Sequence, residues 1–350
     1  MNPQLAVNMV SDRIAALPLA IVYLTDRCNS RCITCDYWKF GHTNLPLERA
    51  RALAVDLKNL GTQLVLLSGG EPLLHPHWAE AAAIFREAGL RLWLLTAGLS
   101  LQKHVVQAAA LCERITVSLD GATQETYWHV RGVEAFGAVC DGIREAVGRG
   151  AWVSLRTTLQ RGNYREVPAL VRLGRELGVR QVSFLAVDVS THVAFARQED
   201  YETSMALQPA DLPEFARVLD RMESDFAGEF ASGFIAESPP KLRRLHQYFA
   251  ALAAQIPGVS ETQGFFPVAF PPVRCNAPRF SAVIGADGRQ QPCYFISGPV
   301  NRNGGSLRTE LNTPEFISLR RDIREGRREE CGRCVCSMWR TPKDLLLGQL

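Results

Sequence analysis

The stretch LTDRCNSRCITC, residues 24–35, decides the fold and places three cysteines on one short loop. Cys28, Cys32 and Cys35 have the spacing C-x3-C-x2-C and follow directly after the apolar run 19–25. In β/α proteins, the loop after a strand is where active sites are commonly built. Three thiolates on such a loop can share a metal centre, and a [4Fe–4S] cluster, which takes four ligands, would keep one iron open. A zinc site is the alternative interpretation of the same three residues.

The chain on either side of this loop alternates strand-like and helical patterns. Apolar runs of strand length occur at 19–25, 63–68, 91–96, 114–119, 152–159 and 181–187. Helical periodicity occurs between them, at 46–60, 76–88, 101–112, 135–148 and 164–177. Strands that alternate with helices form right-handed βαβ units, and six such units are two short of a complete eightfold barrel. We therefore predict an α/β fold, a (β/α)6 partial (open) barrel.

Composition narrows the class of protein. Lys and Arg exceed Asp and Glu by 39 − 36 = 3, a balance too small to indicate a nucleic-acid partner. Asp12 and Arg13 interrupt the first 20 residues and no long apolar run follows, so neither a signal peptide nor a membrane partner is expected. The prediction is a cytoplasmic protein with reduced thiols, whose clustered cysteines bind metal or perform chemistry. Cys112 and Cys140 lie in apolar helical patterns and are assigned to core packing.

The cysteine spacing, together with its place after the first strand, resembles the radical S-adenosylmethionine (radical SAM) superfamily. The resemblance covers residues 19 to about 187. It implies a [4Fe–4S] cluster on the three cysteines, with the methionine part of SAM on the open iron. In this family reduction of the cluster cleaves SAM to a 5′-deoxyadenosyl radical, which abstracts hydrogen from a substrate. The resemblance also implies an electron donor such as flavodoxin or ferredoxin.

A second motif supports the resemblance at the end of the second predicted strand. Residues 68–72, SGGEP, are similar to the family's GGEP motif, which receives the SAM α-amino group. Gly69 and Gly70 would let the backbone approach a ligand closely, and Glu71 can accept a hydrogen bond from an ammonium group. The three residues are therefore predicted to bind the cofactor.

Polar residues at two further strands extend the expected SAM site. Ser118 and Asp120 end the fourth strand, where the family places groups near the SAM ribose, with helix capping as the alternative. Arg156 lies in the fifth strand, where similar enzymes often hold the SAM carboxylate. The alternative role for Arg156 is a surface ion pair. Arg131 and Gly132 resemble a stretch of the peptide- and sugar-modifying branch, which we interpret as packing.

One position departs from the family pattern. The residue before the third cysteine is often aromatic in the family and lies near the adenine, but here it is Thr34. Tyr37 or Trp38 can supply the stacking face instead.

A second cysteine group lies near the C-terminus. It comprises Cys275, Cys293, Cys331, Cys334 and Cys336. The first two flank the turn of a predicted hairpin at 280–295, and the arrangement resembles the SPASM/twitch extensions of many radical SAM enzymes. Five cysteines are too few for two clusters, so one auxiliary [4Fe–4S] cluster is predicted. Its predicted ligands are Cys275, Cys293, Cys331 and Cys334, with Cys336 as the alternate ligand. A zinc knuckle is the alternative interpretation of the same residues.

Three parts of the chain are predicted from these patterns. Residues 1–189 form the radical SAM partial barrel, 190–272 form a helical insertion that covers the substrate, and 273–350 form the twitch/SPASM-like cluster domain. Only about 18 residues precede the first strand, which disfavours a fused peptide-recognition domain. A small-molecule substrate, such as a natural-product, sugar or nucleoside-like compound, is therefore preferred over a peptide.

The predicted function is a radical SAM oxidoreductase in which the auxiliary cluster assists a net oxidation. A redox-neutral epimerase is one alternative, and there a free Cys336 would return hydrogen to the substrate radical. Crosslinking of a ribosomal peptide is another. A non-enzymatic iron–sulfur or zinc scaffold, or a redox sensor, is the alternative from a different class; the GGEP motif and Arg156 argue against it.

Overall fold

The computed structural model describes residues 3–197, 203–256, 268–299, 305–336, 338–341 and 343–344. Its strands are β1 (Leu19–Thr25), β2 (Leu64–Gly69), β3 (Arg91–Thr96), β4 (Arg114–Ser118), β5 (Val153–Leu159), β6 (Gln181–Ala186), β7 (Ser281–Ile284) and β8 (Gln290–Gln291). Within these residues they form one sheet in the order β6-β5-β4-β3-β2-β1-β7-β8. All neighbours pair in parallel except β7 and β8, which are antiparallel. The sheet is open, so the predicted open α/β array is confirmed.

Helices connect the strands and continue into the C-terminal half. Those of the described residues are α1 (Pro3–Val10), α2 (Tyr37–Phe40), α3 (Leu47–Asn59), α4 (Trp78–Glu87), α5 (Leu101–Leu111), α6 (Gln124–Arg131), α7 (Phe136–Gly148), α8 (Val167–Glu176), α9 (Leu212–Asp225), α10 (Ala227–Ala231), α11 (Pro239–Ala253), α12 (Leu307–Glu310), α13 (Pro314–Arg324) and α14 (Glu329–Gly332). No helix in the described part of the chain is both long enough and apolar enough for a membrane span.

Strand β1 lies at the centre of the packing. All seven of its residues are buried, because it pairs with β2 on one side and β7 on the other and is covered on both faces. Such burial favours the continuous apolar run that the sequence shows. Cys112 and Cys140 belong to the main hydrophobic core, as predicted.

The C-terminal hairpin joins the sheet of the first half. β7 pairs with β1 from Leu19 opposite Ser281 to Val22 opposite Ile284. The predicted hairpin is present, but β8 ends at Gln291 because Pro292 has no N–H to continue the ladder. The division of the chain at residue 273 stays a prediction. Because β7 pairs with β1, the parts on either side of that division share one sheet.

In the predicted helical insertion at 190–272, the two longest helices of the described residues are α9 and α11. They pack through aromatic side chains: the Phe215 ring lies 5.7 Å from Tyr164 and 6.0 Å from Phe249, between ring centroids. Because Tyr164 lies at the entrance to α8, these helices are fixed against the β/α array. Covering the substrate stays a prediction for this segment.

Candidate metal centres

The three-cysteine loop begins where β1 ends and is fixed at its base. The Thr25 hydroxyl donates to the Thr43 carbonyl at 2.8 Å, and the Arg27 N–H donates to the Thr25 hydroxyl at 3.1 Å. Cys28, Cys32 and Cys35 are all partly buried on this loop. The structure thus brings all three predicted ligands together at the carboxyl end of β1.

The middle of the loop contacts the C-terminal end of α6. The Arg31 N–H donates to the Arg131 carbonyl at 2.9 Å, and the Ile33 N–H donates to the Val130 carbonyl at 3.1 Å. Gly132 ends α6 with φ +68°, and a Cβ there would lie 2.3 Å from the Arg31 carbonyl oxygen. Only glycine satisfies both requirements, so α6 and the loop are matched at this point.

The glycines of the 68–72 segment serve the same loop. The Gly70 N–H donates to the Thr25 carbonyl at 2.9 Å, and the Glu71 N–H donates to the Arg27 carbonyl at 2.7 Å. A Cβ on Gly69, whose φ is +129°, would lie 2.0 Å from the Thr25 oxygen, and one on Gly70 would lie 2.3 Å from the Arg27 oxygen. The close approach expected of these glycines is therefore made to the protein's own cysteine loop. Their contact with a cofactor stays a prediction.

Glu71 is buried completely and ties the end of β2 to that of β3. Its carboxylate accepts hydrogen bonds from the Leu73 N–H (3.1 Å), the Thr96 hydroxyl (2.8 Å) and the Ala97 N–H (2.6 Å). Burial raises the pKa of Glu71, and these donors oppose that rise. The Glu71 oxygens thus already have protein partners. That Glu71 also receives the SAM amino group stays a prediction.

Asp120 forms a buried ion pair that the sequence did not predict. One of its oxygens accepts from the Arg131 Nη1 at 3.0 Å, and the other accepts from the Thr158 N–H at 2.7 Å. Burial raises the pKa of the Cys32 thiol, and the positive charge of Arg131 opposes that rise most strongly. Sequence reasoning had assigned Arg131 to packing, and its only signal was the Arg131-Gly132 pair itself.

The other predicted SAM contacts lie on β4, β5 and α2. Ser118 is half-buried and stands opposite the exposed Arg156 in the strand register. Tyr37 and Trp38 follow Cys35 directly; Tyr37 is half-buried, and Trp38 is exposed with Lys39 5.3 Å above its ring. Ser118 ends β4, Arg156 lies in the middle of β5, and Tyr37 and Trp38 directly follow the cysteine loop. Their contacts with SAM stay predictions.

The five C-terminal cysteines line a single cavity beside β1. They are Cys275, Cys293, Cys331, Cys334 and Cys336. Apolar side chains such as Leu19, Ile21 and Met338 form the remaining wall. Burial raises the pKa of the Cys293 thiol to about 12 and that of Cys331 to about 11, so thiolates there need a positively charged partner such as iron.

Cys336 differs from the other four cysteines in its charged surroundings. Burial raises the pKa of its thiol, Cys275 raises it further, and the positive charges of Arg156 and Lys241 oppose the rise. Since Arg156 belongs to β5, Cys336 lies toward the β/α array. The Cys334 sulfur accepts from the Cys336 N–H at 3.3 Å, which fixes the two cysteines relative to each other.

Three tyrosines lie between the two cysteine sites. The Tyr23 ring is 6.1 Å from that of Tyr37 and 6.5 Å from that of Tyr294. Burial raises the pKa of Tyr23, and the neighbouring phenols and Cys35 raise it further. Tyr294 lines the five-cysteine cavity and Tyr37 lies two residues after Cys35, so the three tyrosines extend from one site to the other.

Both sites fit iron–sulfur clusters by their donor chemistry. Within the described residues, Asn29 Oδ1 is buried without a hydrogen-bond partner on the three-cysteine loop, as expected where a bound group completes the site. Over the same residues, no three Cys, His, Asp or Glu side chains converge on one metal-ion position. A [4Fe–4S] cluster binds its thiolates on separate irons and so does not need that convergence.

Part of the chain matches a known family model. Residues 22–174 match the sequence profile of the Radical SAM superfamily. The chain is 29% identical over 201 residues to the Fe-coproporphyrin III synthase of Methanosarcina barkeri (strain Fusaro / DSM 804). The aligned residues cover 56% of this chain and 50% of that protein. The chain spans about half the length of the curated relatives it matches.

Two solved structures share the fold over nearly the whole chain. Streptococcus suis SuiB bound to S-adenosylmethionine superposes with a TM-score of 0.63 at 14% identity, covering 96% of this chain and 75% of SuiB. The enzyme anSMEcpe, with bound AdoMet and the Cp18Cys peptide, gives a TM-score of 0.61 at 17% identity, covering 93% and 92% of the two chains. At these identities the likeness concerns the fold alone.

Proposed function

Because the chain contains a radical SAM domain, we propose that it is an oxidoreductase that abstracts hydrogen from a small-molecule substrate with an auxiliary cluster assisting net oxidation. The observation that carries this proposal is the pair of cysteine sites at β1, one after its carboxyl end and the other lined by its side chains, with Tyr23, Tyr37 and Tyr294 between them. Radical SAM enzymes use a [4Fe–4S] cluster and SAM, which together supply a 5′-deoxyadenosyl radical. The enclosed thiols also suit the reducing cytoplasm.

In this proposal the chain's own residues divide the work of binding. Cys28, Cys32 and Cys35 hold the catalytic cluster. Arg156 and Ser118 lie side by side, an arrangement suited to the SAM carboxylate because a guanidinium pairs with a carboxylate through two hydrogen bonds. The cofactor contacts proposed besides them are those of Gly69, Gly70, Glu71, Asp120, Tyr37 and Trp38.

The second site is proposed to hold one auxiliary cluster. Its assigned ligands are Cys275, Cys293, Cys331 and Cys334. Cys336 would then remain as a thiol on the side of Arg156, where it can serve as an alternate ligand. In the redox-neutral alternative it is the hydrogen donor.

A cavity of about 490 Å³ supports a small-molecule substrate. Its wall includes residues 190–193, Phe295 and a charged stretch at 327–330. Phe295 and Glu330 also line the five-cysteine cavity, so the two spaces are adjacent. The volume lies within the range of small-molecule pockets, about 300–1,000 Å³. A peptide remains the second candidate, because the fold neighbour anSMEcpe was solved with one.

The electron donor is proposed to be a flavodoxin or ferredoxin. Arg27 and Arg31 are exposed on the cysteine loop and offer positive charge beside the catalytic site to an acidic donor. Reduction of the protein by such a donor should slow steeply as salt is added, because steering between opposite charges is screened. A reduction rate insensitive to salt would contradict this contact.

The proposed activity predicts that the anaerobically reconstituted protein forms 5′-deoxyadenosine from SAM under strong reductant. Substrate candidates are then added, and the product mass is measured. Loss of two hydrogens supports net oxidation. A product mass that is unchanged in H2O but shows deuterium uptake in D2O supports epimerisation. Replacing Cys35 by Ala should abolish 5′-deoxyadenosine formation, and the matched core variant Cys112→Ala should retain it. No 5′-deoxyadenosine from the unaltered protein would favour a scaffold or redox sensor.

A further inference from the structure

One buried positive charge lies beside the three-cysteine loop. Arg131 ends helix α6, and the Arg131 and Val130 carbonyls accept hydrogen bonds from the Arg31 and Ile33 N–H groups, which lie between the cysteines of the loop. The Arg131 side chain is only 11% exposed, and its buried charge is paired with Asp120. A chain that buries an arginine beside three thiols brings a fixed positive charge to that site.

The position of this charge is fixed from two directions. Asp120 accepts from Arg131 Nη1 at 3.0 Å, and Asp120 is itself held by the Thr158 N–H at 2.7 Å. The Arg131 carbonyl accepts from the Arg31 N–H, so the same residue also holds the cysteine loop. The buried Tyr127 phenol also lies against the guanidinium.

We propose that Arg131 is a positioning residue that sets the reduction potential of the cluster held by Cys28, Cys32 and Cys35. A cluster becomes more negative on reduction, so a fixed positive charge nearby stabilises the reduced form and raises its potential. Asp120 holds the guanidinium in place through one oxygen, and the Thr158 N–H donates to the other. This inference rests on the proposed function, because it takes the three thiolates as cluster ligands.

The two partners must then shift the potential in opposite directions. Replacing Arg131 by Gln removes a positive charge, so the reduced cluster loses stabilisation. Replacing Asp120 by Asn removes a negative charge but keeps a side-chain oxygen that can accept from Arg131, so the reduced cluster gains stabilisation. Arg131→Lys keeps the positive charge, so its cluster should have nearly the reduction potential of the unaltered protein. Arg144→Gln removes an exposed arginine that pairs with Asp141 on α7 and serves as the matched control.

The experiment is a potentiometric titration of the reconstituted protein, monitored by electron paramagnetic resonance. The signal followed is that of the cluster whose spectrum changes when SAM is added. At a fixed potential, R131Q should lower the ratio of reduced to oxidised cluster at least tenfold, which is about 59 mV for one electron. R131K and R144Q should stay within about threefold of the unaltered protein, by the same relation. D120N should raise the ratio.

Three results would overturn the inference. They are an unchanged ratio in R131Q with full iron content, equal losses in R131Q and R131K, and a lowered ratio in D120N. If R131Q holds no cluster, the direction of the D120N shift decides. Failure of the proposed function is distinguishable, because the unaltered protein would then show no SAM-sensitive cluster signal.

Discussion

Single residues of the 68–72 segment act first on the protein's own backbone. Gly69 and Gly70 let the loop after β2 contact the loop after β1, and Glu71 closes the gap to β3. A motif expected to meet a cofactor thus also holds the cysteine loop. The sequence predicted the need for small residues here, but a pattern along the chain does not state which backbone comes close.

Gly70→Ala tests this contact. The added Cβ would lie 2.3 Å from the Arg27 carbonyl oxygen, so the loop must move, and overpacking of this kind costs about 1–3 kcal/mol. We expect a lower free energy of unfolding by urea denaturation, together with poorer iron incorporation. Gly137→Ala, on α7, meets nothing within 4 Å and should be neutral or stabilising by up to about 1 kcal/mol. Equal behaviour of the two variants would contradict the proposed contact.

At the scale of elements, helix α6 supports the cysteine loop. It starts at Thr123, whose hydroxyl accepts from the Thr126 N–H at 3.2 Å, and it ends at Gly132. Its exposed residues are mostly polar, so hydrophobic periodicity did not reveal it. The capping Thr123 and the glycine at its end were the signals available in the sequence.

Thr123→Ala should fray α6 and loosen the loop. Loss of a threonine cap typically costs about 1 kcal/mol, and the Arg131 and Val130 carbonyls that hold the loop belong to the same helix. The expected result is lower stability in urea and faster loss of iron from the three-cysteine site. Thr313→Ala removes a comparable cap from α13, where the hydroxyl accepts from the Phe316 N–H. It should lower stability alone, and iron loss at the same rate in both variants would count against α6.

Elements close in sequence were predictable, and distant pairings were not. The buried apolar runs placed the first six strands within a residue or two of their observed ends, because strands covered on both faces select such runs. The pairing of β7 with β1 joins residues about 260 apart, and local periodicity carries no information about it. The same limit applies to Arg131, whose importance depends on Asp120 and the cysteine loop together.

Across the whole molecule, β1 connects the two cysteine sites. Its carboxyl end leads into Cys28, Cys32 and Cys35, and its side chains Leu19 and Ile21 line the cavity of the other five. The spacing of the cysteines predicted two groups but not their adjacency. Under the proposed function, that adjacency would let the two clusters exchange electrons during one reaction, with Tyr23 and its neighbours between the sites.

The count of iron per chain tests this two-site account most directly. The account predicts about eight irons in the anaerobically reconstituted protein, four for each [4Fe–4S] cluster. The variant C28A/C32A/C35A should hold about four irons and form no 5′-deoxyadenosine, while C275A/C293A should also hold about four but keep the SAM-sensitive cluster signal. Stoichiometric zinc with about four irons in the unaltered protein, or iron unchanged in C275A/C293A, would contradict it.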